Sequence, residues 1–156
     1  MSILEKIHHF LIKHHKTLSL AESCTGGHLA ALFTQMPDAS RYFLGSLVTY
    51  SNHFKEKLLH VSQKTLFESG PVSRETANEM LLGLMKFSEA DYGIALTGIA
   101  GPTGGSKEHP VGTVFIALGV KGQKPHVVEC QFTGSRDAIM RQACERAIVE
   151  LDLLFQ

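Results

Sequence analysis

No stretch of this chain approaches the roughly 20 consecutive apolar residues that a bilayer-spanning helix needs, so no membrane partner is expected. Net charge is missing as well: 15 lysines and arginines balance 15 aspartates and glutamates. A nucleic-acid binder needs a basic face to displace counterions from phosphates, and the neutral balance argues against such a partner. Cysteine is scarce. Cys24, Cys130 and Cys144 are odd in number and lack CxxC spacing. That argues against a disulfide framework and a zinc ribbon, and it fits a reducing cytoplasm. The N-terminal segment MSILEKIHHFLIKHH has neither the apolar h-region nor the cleavage site of a secretory signal. Its mixture of apolar, charged and histidine residues reads instead as an amphipathic helix of the domain itself.

What the chain does have is enough apolar material for a core. Its 156 residues, 44% hydrophobic and 19% charged, suit one domain over residues 1–156. Nine histidines invite a metal reading, and His8, His9, His14 and His15 cluster on the first helix. No HExxH or comparable ligand set accompanies them, so they read as a solvated face, and no metal is expected.

Periodicity alternates between helix and strand along the whole chain. Residues 2–15 carry apolar side chains at helical spacing, TLSLA at 17–21 is a short strand, and HLAALFTQM at 28–36 is helical until Pro37 stops it. Ser40 reads as the cap of a short helix, RYFLG, followed by a strand at 46–50. Lys55 falls in a short polar helix. Ser62 and Ser73 cap two more, the second running to about Glu89. YGIALTG at 92–98 is an almost wholly apolar strand of the kind covered on both faces. VGTVFIALGV and HVVECQF form a hairpin across KGQKP, and a last helix runs from near Ser135 to Leu154. This order predicts an α/β fold with helices on both faces of a mixed sheet.

Three polar or glycine-rich segments follow strands: ESCTGG, YSNHFK and GIAGPTGG. Ligands of open α/β sheets bind beyond the strands' carboxyl ends, so these segments point to a small anionic or polar ligand. Ser23 suits a nucleophile, a hydrogen-bond donor or a helix N-cap, and GxSxG is not matched. Cys24 beside it reads as packing. The loop Gly98–Gly105 matches neither GxxxxGK[ST] nor GxGxxG; it is either an amide nest for phosphate or a long ordered turn. Lys55 serves as a base only if burial or a neighbouring cation lowers its pKa. A short helix starting at Ser40 and running back along its strand would bring that serine near Lys55. At the last helix, Arg136 and Arg141 are candidates for an anion clamp, or partners for Asp137 and Glu145.

The segments AESCTGG, VTYSNxxK, GIAGPxGG with PVGTVxxA, and GxRDAxxRQA stand in one order over about residues 17–147. Together they resemble the CinA C-terminal domain, the nicotinamide mononucleotide deamidase family. The resemblance implies a three-layer α/β/α sandwich with a mixed sheet. It implies hydrolysis of nicotinamide mononucleotide to nicotinic acid mononucleotide and ammonia, in pyridine nucleotide salvage, by a Ser/Lys mechanism without metal or cofactor. Carried onto this chain, Lys55 is the base, Ser40 the favoured nucleophile with Ser23 in support, and Tyr50 a positioning group. Thr25, Gly26, Gly27, Thr97, Gly98, Gly101, Gly104, Gly105 and Arg141 would hold the nucleotide. The other reading is a non-catalytic nucleotide-binding or regulatory module of the competence/damage-inducible type. Exposed apolar positions on the terminal helices would suit a homodimer.

Overall fold

In the computed structural model, which describes residues 1–156, five strands and six helices alternate along the chain. α1 (Ile3–Lys13) begins at Ser2, whose hydroxyl accepts the Glu5 N–H while the Glu5 carboxylate accepts the Ser2 N–H. β1 (Leu18–Glu22) leads by a short loop to α2 (His28–Thr34), and a 3-10 turn (Ala39–Arg41) feeds β2 (Phe43–Val48). α3 (Asn52–Leu59), α4 (Gln63–Glu68) and α5 (Arg74–Ser88) follow, capped by Ser51, Ser62 and Ser73. β3 (Tyr92–Gly98), the hairpin of β4 (Thr113–Val120) and β5 (His126–Gln131), and α6 (Arg136–Leu153) complete the chain.

The sheet order is β2-β1-β3-β4-β5. β1 runs parallel to both β2 and β3, whereas β4 is antiparallel to β3 and β5. Strand alternation splits the core in two. Leu20, Ile94, Leu96 and Ile116 point into the larger half, packed on α1, α2 and α6. Ala21, Ala95 and Ala117 face the other way, towards Met80, Leu81 and Leu84 of α5. Each fully buried leucine or phenylalanine here contributes roughly 1.5–3 kcal/mol of transfer free energy. The result is the expected three-layer sandwich around a mixed sheet.

Two expectations need correction. β2 starts at Phe43, not at residue 46, and the helical turn spans only Ala39–Arg41 rather than running from a Ser40 cap through 41–45. Parallel pairing of Phe43 with Leu18, and stacking of its ring 6.0 Å from that of Phe33, draw this segment into the sheet. The histidine-rich face is also not wholly solvated. His8 is buried, its Nδ1 3.2 Å from the Tyr42 hydroxyl, and burial lowers its pKa. His9, His14 and His15 remain exposed.

The topology gathers the site. β1, β2 and β3 end at one edge of the sheet, and the antiparallel hairpin returns β5 to that same edge, where α6 begins.

Candidate active site

At this edge two consecutive residues enter opposite layers. Glu22 reaches towards α2, and Ser23 reaches towards Lys55 on α3. The Lys55 side chain is almost wholly buried, at 2% exposure, although it sits on a short polar helix. Its Nζ lies 2.9 Å from Ser23 Oγ, 2.9 Å from the Thr49 carbonyl and 3.2 Å from the Tyr50 carbonyl. Both carbonyls belong to the segment that leaves β2. Removal from water disfavours the ammonium and lowers the Lys55 pKa from 10.5 to about 8. A neutral amine has two N–H donors and one lone pair. With the two carbonyls taking the donors, the lone pair is left for the Ser23 hydroxyl.

Beside this pair opens a cavity of about 260 Å³, walled by Tyr50, Thr97, Arg136 and the loop from Gly98 to Gly104. Arg136 is the first residue of α6 and bridges the two sides of the cavity. One guanidinium nitrogen donates to the Gly101 carbonyl at 2.7 Å and the other to the Tyr50 hydroxyl at 2.9 Å. Thr97 donates its hydroxyl to the Pro71 carbonyl at 2.8 Å, anchoring the strand end. The N–H groups of Ala100, Gly101, Thr103 and Gly104 make no hydrogen bond within the chain. They offer donors to an anion or an oxyanion. Cys24 also lines the cavity, but burial pushes its thiol up to about 12, so it is a neutral packing group rather than a thiolate.

The structure brings together Ser23, Lys55, Tyr50, Thr97, Gly98, Gly101 and Gly104. Ser40 stays apart. It sits exposed on the 3-10 turn before β2, whereas Lys55 follows the other end of that strand, and a six-residue strand spans roughly 20 Å. Thr25, Gly26 and Gly27 lie off the cavity wall. The Thr25 hydroxyl turns inward to Glu22, and the two glycines adopt positive φ to turn the chain into α2. Gly105 is exposed and lies off the cavity wall, close to the Val111 backbone.

Arg141 is on the outer surface, paired with Asp137 at 2.6 Å. It stands five positions after Arg136, which on a helix is roughly 7.5 Å along the axis and about 140° around it. Of the residues of α6, only Arg136, the first after the Ser135 cap, lines the cavity. That cap was the usable signal for preferring Arg136 to Arg141, the arginine to which the resemblance gave the nucleotide.

No three His, Cys, Asp or Glu side chains are grouped so that they could hold a metal ion. No helix is long and apolar enough to cross a membrane.

The sequence profile of the CinA C-terminal domain matches residues 1–155. The chain belongs to the CinA C-terminal domain family. Among relatives of this family, the nicotinamide-nucleotide amidohydrolase PncC of Escherichia coli K12 is 41% identical over 152 residues, covering 97% of this chain and 92% of that protein. A CinA-like protein of Endomicrobium trichonymphae is 47% identical over 144 residues, 92% of this chain but 33% of that protein. The chain thus spans about a third of the length of the CinA-like relatives it matches. Among solved structures, the competence/damage inducible protein CihA of Agrobacterium tumefaciens superposes with a TM-score of 0.92 at 34% identity, covering 100% of this chain and 98% of that one.

Proposed function

We propose that this chain is a nicotinamide-nucleotide amidohydrolase, converting nicotinamide mononucleotide to nicotinic acid mononucleotide and ammonia in pyridine nucleotide salvage. Ser23 is the nucleophile and Lys55 the general base. One observation carries the chemistry: a buried lysine whose Nζ lies 2.9 Å from a serine hydroxyl, with two carbonyls to accept its N–H groups once the amine is neutral. The substrate is supported by the name of the E. coli relative, which matches nearly end to end.

Neutral Lys55 takes the Ser23 proton as Oγ bonds to the carboxamide carbon, and the C=O π electrons move onto oxygen. Free N–H groups at the cavity rim hold that oxyanion, each worth about 3–4 kcal/mol where such a donor has been removed elsewhere. The C–N bond then breaks. The Lys55 ammonium gives its proton to nitrogen, which departs as ammonia. Lys55, neutral again, takes a proton from water as the water oxygen attacks the acyl carbon. The acyl–Oγ bond breaks, Ser23 recovers its proton, and the carboxylate product is released. Arg136, facing the cavity with the loop amides, supplies the positive charge for the nucleotide phosphate.

The test is ammonia release from nicotinamide mononucleotide by the purified protein, with and without a chelator. Release that survives the chelator supports the reading. Folded protein that binds the nucleotide and releases no ammonia would replace it with a nucleotide-binding module.

A further inference from the structure

Glu22 precedes the proposed nucleophile, has no exposed surface and moves no proton in the steps above. Its carboxylate accepts four hydrogen bonds. Oε1 takes the Thr25 hydroxyl at 2.8 Å and the Leu29 N–H at 2.9 Å; Oε2 takes the Ser46 hydroxyl at 2.7 Å and the Ala30 N–H at 3.2 Å. No lysine or arginine pairs with it: the ion pairs of this chain are Arg141–Asp137 and Arg146–Glu150. A carboxylate is expensive to bury without a counter-cation, and only a full set of donors makes it tolerable.

A helix cap alone does not require this arrangement. Helices ordinarily cap themselves with Ser, Thr, Asp or Asn next to the first turn. Here the N-cap is Gly27, at a φ of 103° and with no side chain, so Glu22 serves the α2 amides from five residues upstream. The loop between them, which begins with Ser23, is therefore wound around the carboxylate and pinned at its middle by Thr25. The same residue also reaches the lysine's half of the site. The Glu22 carbonyl accepts the Thr49 N–H at 2.8 Å, and the Thr49 carbonyl accepts Lys55 Nζ. Ser46, bonded to the carboxylate, lies on β2, the strand that delivers Thr49 and Tyr50.

We infer that Glu22 is a positioning residue for the Ser23–Lys55 pair, holding the serine loop, the start of α2 and the end of β2 in the one register that sets Oγ beside Nζ. The inference rests on the proposed function for the roles of those two residues.

Glu22→Gln keeps the shape and, whichever way the amide lies, sets its NH2 group against a backbone N–H and forces the hydroxyl on that side to turn from donor to acceptor. A displacement of about 1 Å at a reacting atom costs on the order of a hundredfold, so kcat for ammonia release falls about that much while KM stays within about threefold. The rate at which a fluorophosphonate probe labels Ser23, mapped by mass spectrometry, falls by the same factor. Ser46→Ala, which removes one of the four donors, lowers both rates by a smaller factor and is the variant read if Glu22→Gln does not fold. Both rates are expressed per folded molecule, measured by circular dichroism. A folded Glu22→Gln with wild-type kcat and labelling overturns the inference. So does Ser46→Ala at wild-type labelling when Glu22→Gln is unfolded, and so does a loss that only tracks the folded fraction. Wild-type protein that labels at Ser23 but releases no ammonia refutes the substrate, and the labelling comparison still decides on Glu22.

Discussion

Ser23 and Lys55 stand 32 positions apart in the chain, yet Oγ and Nζ meet at 2.9 Å in a site where both side chains are buried. Ser23 follows the end of β1, and Lys55 lies one turn into the helix after β2, the parallel neighbour of β1. The register pairs Glu22 with Val48, so both strands stop at the same level and their exits converge. The carbonyls of Thr49 and Tyr50 leave the ladder there and turn to the amine.

Removal of either member of this pair abolishes most turnover. Lys55→Ala lowers kcat by about 10²–10⁴-fold, the usual range for a general base. Ser23→Ala removes the covalent route and loses at least as much. Ser40→Ala, exposed at the far end of β2, stays within about twofold of wild type on the scale of neutral surface changes. Ammonia release from the three variants checks all of this, and loss of activity in Ser40→Ala with retention in Ser23→Ala would reverse the assignment.

The pH dependence follows from the depressed lysine pKa. Lys55 acts as a base only when neutral, so kcat/KM rises about tenfold per pH unit below its folded pKa and levels off above about 8. Stability moves in the same direction. Between about 8 and the ordinary 10.5 the unfolded chain holds a proton that the folded chain has released, so this group's contribution to stability grows as pH rises through that window. Rate profiles and urea midpoints across the range test both signs; a kcat/KM independent of pH below 8 contradicts the first.

Arg136 and Arg141, two of the three arginines of α6, separate cleanly. Arg136→Ala removes the bridge between Gly101 and Tyr50 together with the cavity's cation, and raises KM by about 10–100-fold, the worth of a charged hydrogen-bonded contact. Arg141→Ala breaks an exposed i,i+4 pair worth about 0.3–0.5 kcal/mol and leaves kinetics unchanged. Steady-state constants for both variants check the contrast.

The glycine loop tolerates no side chain at its tightest points. Alanine at Gly101, where φ is +81°, would put Cβ 2.4 Å from Val111 Cγ1. At Gly98 it would sit 2.6 Å from Val114 Cγ2 and 3.1 Å from the Cys24 sulfur, beside Ser23. Each substitution costs about 1–3 kcal/mol of overpacking. Thermal denaturation reads this as a Tm lowered by several degrees, and Gly98→Ala also lowers kcat through Cys24.

The order of elements was legible because it depends on local physics. Apolar spacing marked the helices and strands, and Ser62, Ser73 and Ser135 announced their helices through cap chemistry that acts within three residues. The three loops at the strands' ends were legible for the same reason, since each is a break in a periodic pattern. The choice between Ser23 and Ser40 was not. It turns on where β2 begins, which is set by pairing of Phe43 with Leu18, a contact no local pattern contains. Arg136 and Arg141 look alike as residues of one helix, and only the arrival of α6 at the sheet edge separates them. The condition set for Lys55, burial that lowers its pKa, was not legible either, because its neighbours in sequence are polar and its burial comes from the loop after β1 and the exit of β2. Short-range forces thus determined from sequence which elements form, and the register between strands decided which of their side chains meet.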